Sequence, residues 1–209
     1  KSFMELILIT CSAKKRDGGS PEYSPSQLEG YLSKATFQRL LTLRSELAQT
    51  KHQPAGPDLG GNIPSTKLQY MPAYLRYSGI IYQRSNFAEL FPRARDKKVL
   101  IISALYGVLD AQDSIQKYNL RMDETLPNGK RLYTWWKQNL LGEVLIEYIR
   151  KLKPERIHDL LPESYRKAIS PWLPREFDGK KSCISYDDLG QGQGSLWQRG
   201  DILRELLSS

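Results

Sequence analysis

Apolar residues along the chain form short β-branched runs, separated by longer stretches in which apolar positions recur at helical spacing. Two of the short runs, Glu5–Thr10 and Lys98–Ser103, predict buried strands of the kind found inside parallel sheets. Arg156–Leu161 and Cys183–Tyr186 are interpreted as a third and a fourth strand.

Helical periodicity fills most of the intervals between these runs. The predicted helical segments are Ser26–Gln49, Met71–Leu90, Leu132–Lys151, Ser164–Ile169 and Ile202–Leu207. The Leu132–Lys151 pattern is the clearest, and Pro154 closes it. Alternating strands and helices predict an α/β fold with a central, largely parallel sheet flanked by helices.

The predicted elements fit one domain. At 209 residues the chain can bury a substantial core, and neither side of the Pro- and Gly-rich segment 52–69 resembles a complete fold. We therefore expect a single domain over residues 1–209, with a flexible loop at 52–69. Ligands of such sheets collect beyond the carboxyl ends of the strands, which here are Cys11–Lys14, Ser103–Asp113 and Pro162–Tyr165.

Charge and composition narrow the expected partners. Lys and Arg number 31 against 23 Asp and Glu, for a formal net charge of +8, which favours DNA over an anionic membrane as the partner. No apolar run approaches the roughly 20 residues of a membrane span. Two separated cysteines and two histidines predict no metal site, and no cofactor motif is present. We expect a cytoplasmic protein with reduced thiols and no obligate protein partner.

The centre of the chain resembles a known family. Ser103-Ala104-Leu105-Tyr106-Gly107-Val108-Leu109, followed by Asp113, Gln116-Lys117-Tyr118 and Met122, is similar to the central signature of the YaaA peroxide stress proteins. The segment Gly129–Trp136 resembles the Gly-Lys-x-Leu-Tyr-x-x-Trp segment that follows in that family. The turn Ile9–Lys14 and the segment Leu160–Tyr165 stand where the family has its Ser-Pro-Ala-Lys turn and a Tyr-containing segment.

This resemblance implies a YaaA-like fold that binds DNA, and some relatives of the group are linked to the removal of modified bases from phage DNA. Cys11-Ser12 stands where the family has Ser-Pro, and Glu163-Ser164 stands in place of an adjoining acidic pair. These departures indicate a divergent branch with a different substrate.

Three carboxylates are candidates for glycosidic chemistry. Cleavage of an N-glycosidic bond builds positive charge on the sugar, which a carboxylate can stabilise while it activates water. Asp113, within the family signature, is the first candidate, and Asp110 and Glu163 are the alternatives. Each could instead cap a helix or pair with an arginine.

Binding residues are expected in two groups. A base inside a duplex must be extruded before chemistry, and Tyr106, Gly107, Tyr118 and Asn119 could stack on it or bind its edge. The competing interpretation places both tyrosines in the core. Candidate phosphate contacts lie in the turn after the first strand, at Cys11, Ser12, Lys14, Lys15 and Arg16.

That turn admits two other interpretations. Lys14 could act as an amine nucleophile, and Cys11 as a thiolate nucleophile beside basic residues. The leading hypothesis is a DNA glycosylase that excises a modified base, in antiviral defence. The alternatives are a DNA-binding stress protein without chemistry and another hydrolase or transferase that acts on a nucleotide or base.

Overall fold

The computed structural model describes residues 3–51, 55–61, 67–171, 182–186, 189 and 192–209. Within them one sheet contains the five strands β1 (Glu5–Thr10), β3 (Lys97–Ser103), β4 (Gly107–Asp110), β6 (Arg156–Asp159) and β7 (Ser182–Ser185). Their order across the sheet is β4-β3-β1-β6-β7. Strands β3, β1, β6 and β7 run parallel, and β4 pairs antiparallel with β3. The sheet is flanked by helices, so the predicted single-domain α/β fold with a largely parallel sheet is confirmed.

Four strands match the apolar runs of the sequence. They are β1 (Glu5–Thr10), β3 (Lys97–Ser103), β6 (Arg156–Asp159) and β7 (Ser182–Ser185). Strand β1 lies at the centre of the sheet and all six of its residues are buried. A central strand of a parallel sheet is covered on both faces, which explains its continuous apolar run.

Helices α1–α8 and a small second sheet complete the described part of the chain. The helices are α1 (Lys34–Thr50), α2 (Ala73–Arg76), α3 (Ile80–Arg84), α4 (Phe87–Leu90), α5 (Leu132–Gln138), α6 (Leu141–Leu152), α7 (Glu163–Ala168) and α8 (Gln193–Ser208). Strands β2 (Met71–Pro72) and β5 (Ser114–Ile115) form a two-stranded antiparallel sheet. No helix of the described residues is long and apolar enough to cross a membrane.

The prediction of one continuous helix over Leu132–Lys151 is wrong, because this segment forms two separate helices, α5 and α6. Leu140 lies between them in the left-handed conformation, with φ at 63°. The apolar stripe persists across this break, so the periodicity alone could not reveal it. The closing helix α8 also begins earlier than predicted, at Gln193 instead of Ile202.

A hairpin after β3 returns the chain along the sheet, so the residues that follow β3 do not stay at its carboxyl end. Strand β4 (Gly107–Asp110) turns back and pairs antiparallel with β3, with Ser103 opposite Gly107 and Leu100 opposite Asp110. Gly107 has φ of +75°, and a Cβ there would lie 2.9 Å from side-chain atoms of Trp136 and Leu141. Glycine is therefore needed at this turn for both its backbone conformation and its lack of a side chain.

Part of the predicted loop at 52–69 is held by a buried polar cluster, while residues 52–54 and 62–66 lie outside the described residues. Asp58 accepts hydrogen bonds from Tyr70 at 2.9 Å and Gln116 at 3.0 Å, and also from the Tyr106 hydroxyl. Arg44 donates to the carbonyls of Asp58, Tyr106 and Val108. These bonds attach residues 57–59 to the β3–β4 turn.

Candidate functional site

A cleft lies beyond the carboxyl ends of β1 and β6. It consists of three adjoining cavities of about 450, 220 and 390 Å³, and Tyr165 lines all of them. We name it the carboxyl-edge cleft, and its walls come from six parts of the chain. They are Cys11–Lys14 after β1, Ser78–Ile81 at the start of α3, Leu120–Asp123, Tyr133 on α5, Pro162–Tyr165 after β6, and Leu196 on α8.

The largest cavity has mainly apolar walls, formed in part by Ile80, Ile81, Pro162 and Leu196. Gly79 allows α3 to approach the β1 turn, because a Cβ at Gly79 would lie 2.6 Å from the Ser12 Cβ. Its backbone N–H donates to Ser12 Oγ at 3.1 Å. A concave apolar site of this volume with a few fixed polar groups is typical of ligand binding.

The floor of the cleft is a cluster of hydroxyl and thiol groups. Cys11 Sγ lies 3.3 Å from the Tyr165 hydroxyl. Behind them the Tyr118 hydroxyl lies 2.7 Å from that of Tyr77 and 2.8 Å from Ser103 Oγ. Burial raises the pKa of the Tyr165 hydroxyl well above its usual range, so this group is a neutral hydrogen-bonding partner at physiological pH.

The predicted phosphate contacts divide into exposed and buried cations. Lys14 and Arg16 are exposed, whereas the Lys15 side chain folds inwards. Lys15 Nζ donates to the Ala13 carbonyl at 3.3 Å and lies 4.1 Å from the centre of the Tyr118 ring. Burial lowers the pKa of Lys15. Lys15 is therefore placed to support the turn, and the phosphate contacts of Lys14 and Arg16 stay a prediction.

The residues predicted to bind a base lie mostly behind the cleft. Tyr106 is fully buried against Asp58, and Tyr118 is buried with Lys15 over its ring. Gly107 is buried in the β3–β4 turn, and only Asn119 is exposed. Their role as base-contacting residues stays a prediction, and the packing corresponds to the competing core interpretation of the tyrosines.

The first candidate carboxylate, Asp113, and the alternative Asp110 both lie inside the protein. Asp113 accepts hydrogen bonds from Ser26 Oγ and the Gln27 N–H, both at 2.8 Å, and from the Asp110 N–H at 3.1 Å. Asp110 accepts from the Gln112 N–H at 2.8 Å. Burial, and secondly the nearby Asp113 carboxylate, raise the pKa of Asp110 to about 6. Neither carboxylate lines the cleft, because β4 carries both away from the carboxyl ends of the parallel strands.

Two other carboxylates line the cleft. Glu163 was predicted and opens α7, where its carboxylate lies 3.7 Å from Lys167 Nζ. Asp123 was not predicted, although it lines two of the three cavities. Arg121 Nη2 donates to Asp123 Oδ2 at 3.0 Å. The signal that could have found Asp123 is its position directly after Met122, the last residue of the family signature.

Two of the three predicted cleft segments thus come together. Cys11–Lys14 and Pro162–Tyr165 line the cleft together, and Leu120–Asp123 takes the place expected for Ser103–Asp113. Within the described residues, no group of three or more His, Cys, Asp or Glu side chains could hold a metal ion.

The fold and the cleft define an α/β protein with its candidate site at the carboxyl edge of a parallel sheet. A sequence model of the peroxide stress protein YaaA family matches residues 24–195. This match covers most of the chain, so the protein belongs to the YaaA family, as the motif at Ser103–Leu109 predicted.

Relatives named UPF0246 protein match the chain over shorter segments. The protein from Janthinobacterium sp. (strain Marseille) is 33% identical over 106 residues, which are 48% of this chain and 41% of the relative. The protein from Polynucleobacter necessarius is 32% identical over 130 residues, 55% of this chain and 50% of the relative. The protein from Teredinibacter turnerae is 34% identical over 115 residues, 52% and 44% respectively. The chain spans half or less of the length of these relatives.

Proposed function

We propose that the carboxyl-edge cleft binds DNA and that the protein excises a modified base from it. The observation that carries this proposal is an apolar cavity of about 450 Å³ whose surroundings include exposed cations. Lys14 and Arg16 lie on the β1 turn, and Arg121 lies on the facing loop. This arrangement suits a nucleic acid. The cations outside the cavity match its anionic phosphate backbone, and the apolar cavity matches a flat, weakly polar nucleobase.

An extruded base fits the walls of the cleft. Enzymes that act on a base take it out of the helical stack and hold it in a pocket between aromatic and apolar side chains. Ile80, Pro162, Tyr165 and Leu196 provide such surfaces. The exposed Lys14 and Arg16 would contact the phosphates on either side, where each contact releases counterions.

The chemistry would be hydrolysis of the N-glycosidic bond. The bond between the base nitrogen and sugar C1′ breaks, a water oxygen bonds to C1′, and the base leaves with a proton. A carboxylate beside the sugar stabilises the positive charge that develops there and accepts a proton from the attacking water. Asp123 and Glu163 are the carboxylates that line the cleft, and we assign these roles to them in place of the buried Asp110 and Asp113.

The test is release of free base. The protein is incubated with unmodified DNA and with DNA that carries phage-type modified bases, and free base and abasic sites are measured. We expect release from modified DNA, and a loss of about 10²- to 10⁴-fold in rate in Asp123→Asn or Glu163→Gln. The matched control is Glu155→Gln, because Glu155 is exposed just before β6 at the opposite edge of the sheet. Full excision by both cleft variants would contradict this assignment.

One observation favours a second candidate, a DNA-binding protein without chemistry. The two acidic residues between the first and last residues of the family signature, Asp110 and Asp113, are buried, and Asp113 is held by three hydrogen bonds. Such residues stabilise a turn and need no substrate. Salt-sensitive DNA binding without release of base from any DNA would support this second function.

A further inference from the structure

Helix α8 exposes a large aromatic side chain beside the carboxyl-edge cleft. Trp197 is 50% exposed, and the other exposed large apolar side chains of the described residues are Phe3 and Leu140. Its neighbour Leu196 lines two cavities of the cleft. An indole offers a broad face on which a flat ligand can stack, so its position next to the cleft makes Trp197 a candidate ligand contact.

A fixed guanidinium accompanies the indole. The Arg84 guanidinium carbon lies 5.6 Å from the centre of the Trp197 ring. Asp201 holds Arg84 through two hydrogen bonds, from Nε at 3.1 Å and from Nη2 at 2.9 Å. Gln83, the residue before Arg84, lines the largest cavity. Arg84 on α3 and Trp197 on α8 therefore form a surface beside the cleft, which we name the α3–α8 ledge.

Building on the proposed DNA binding, we propose that the α3–α8 ledge stacks an unpaired base next to the one held in the cleft, and so makes the protein prefer single-stranded over duplex DNA. Indole rings stack on any base, and guanidinium groups contribute through cation–π contacts. The exposed cations Lys14 and Arg16 match the phosphate charge of such a strand. Bases inside a duplex are already stacked and cannot reach the ledge.

The experiment compares two DNA forms. Affinity is measured at low salt for a labelled strand of about 20 nucleotides, longer than the roughly 4–16 nucleotides that such a site covers, and for its duplex. We expect Trp197→Ala to weaken single-strand binding by at least about 5-fold and to change duplex binding little. Trp197→Phe keeps a ring and should retain most of the affinity. Phe3→Ala is the control, since Phe3 is 49% exposed and lies before β1, at the opposite edge of the sheet.

The possible results separate a failure of base stacking on the ledge from a failure of the proposed DNA binding. Trp197→Ala could weaken single-strand and duplex binding equally, or weaken neither. Either result would contradict base stacking on the α3–α8 ledge and would leave the proposed DNA binding by the cleft in place. Wild-type protein that binds neither form would overturn the proposed function and the ledge together. A thermal melt of each variant verifies folding, and Trp197→Phe provides the comparison if Trp197→Ala is unstable.

Discussion

Asp110 makes the stability of this protein depend on pH in a direction that can be measured. Its pKa is raised from 3.8 to about 6, chiefly by burial, and its buried Oδ2 accepts no hydrogen bond from the described residues. Between these two pH values the unfolded chain releases the proton while the folded protein keeps it. The folded protein therefore binds more protons, and its stability falls as the pH rises.

The magnitude follows from the size of the pKa shift. A shift of about two units corresponds to roughly 3 kcal/mol of stability, lost between about pH 4 and pH 6 and constant above that. Asp110→Asn cannot ionise and should not show this loss. We therefore expect the free energy of unfolding of Asp110→Asn, relative to wild type, to increase by roughly 2–3 kcal/mol between pH 4 and pH 7.5.

Urea denaturation at a series of pH values measures this difference. Any constant cost of placing an amide next to Lys98, whose Nζ lies 3.9 Å from Asp110 Oδ2, cancels in the comparison between pH values. Glu155→Gln, at an exposed carboxylate, is the control and should follow the wild type. A difference between Asp110→Asn and wild type that stays constant from pH 4 to pH 7.5 would refute the reasoning.

Two further predictions concern the cleft cations and the β3–β4 turn. Lys14→Ala should weaken DNA binding and reduce the slope of log affinity against log salt concentration by about 1. Lys151→Ala removes the same charge from the last turn of α6 and should leave the slope unchanged. A salt titration of DNA affinity for both variants tests this prediction. Gly107→Ala should lower the free energy of unfolding by about 1–3 kcal/mol, because φ is +75° and the new methyl group would contact Trp136 and Leu141 at 2.9 Å. An unchanged urea midpoint would show that the turn relaxes without cost.

The sequence alone determined the strands of the main sheet that run parallel. The segments Leu6–Ile9 and Val99–Ile102 are apolar without alternation because strands β1 and β3 are covered on both faces, and Arg156–Leu161 predicted a third parallel strand. Since parallel strands end at one edge, the same pattern also predicted that Cys11–Lys14 and Pro162–Tyr165 lie together. The family motif at Ser103–Leu109 is local in sequence, and so it identified the family correctly.

Only the tertiary structure decided which side chains face the cleft. Strand β4 is a short apolar segment directly after β3, and nothing in its pattern shows that it turns back and takes Asp110 and Asp113 into the interior. A tyrosine suits a core and a binding site equally well. The hydrogen bond that the Tyr106 hydroxyl donates to Asp58, and the one between the Tyr118 hydroxyl and Ser103, fix the positions of the two rings. The positions of Asp123 in the cleft and of Trp197 beside it depend on contacts between distant segments, which local periodicity does not record.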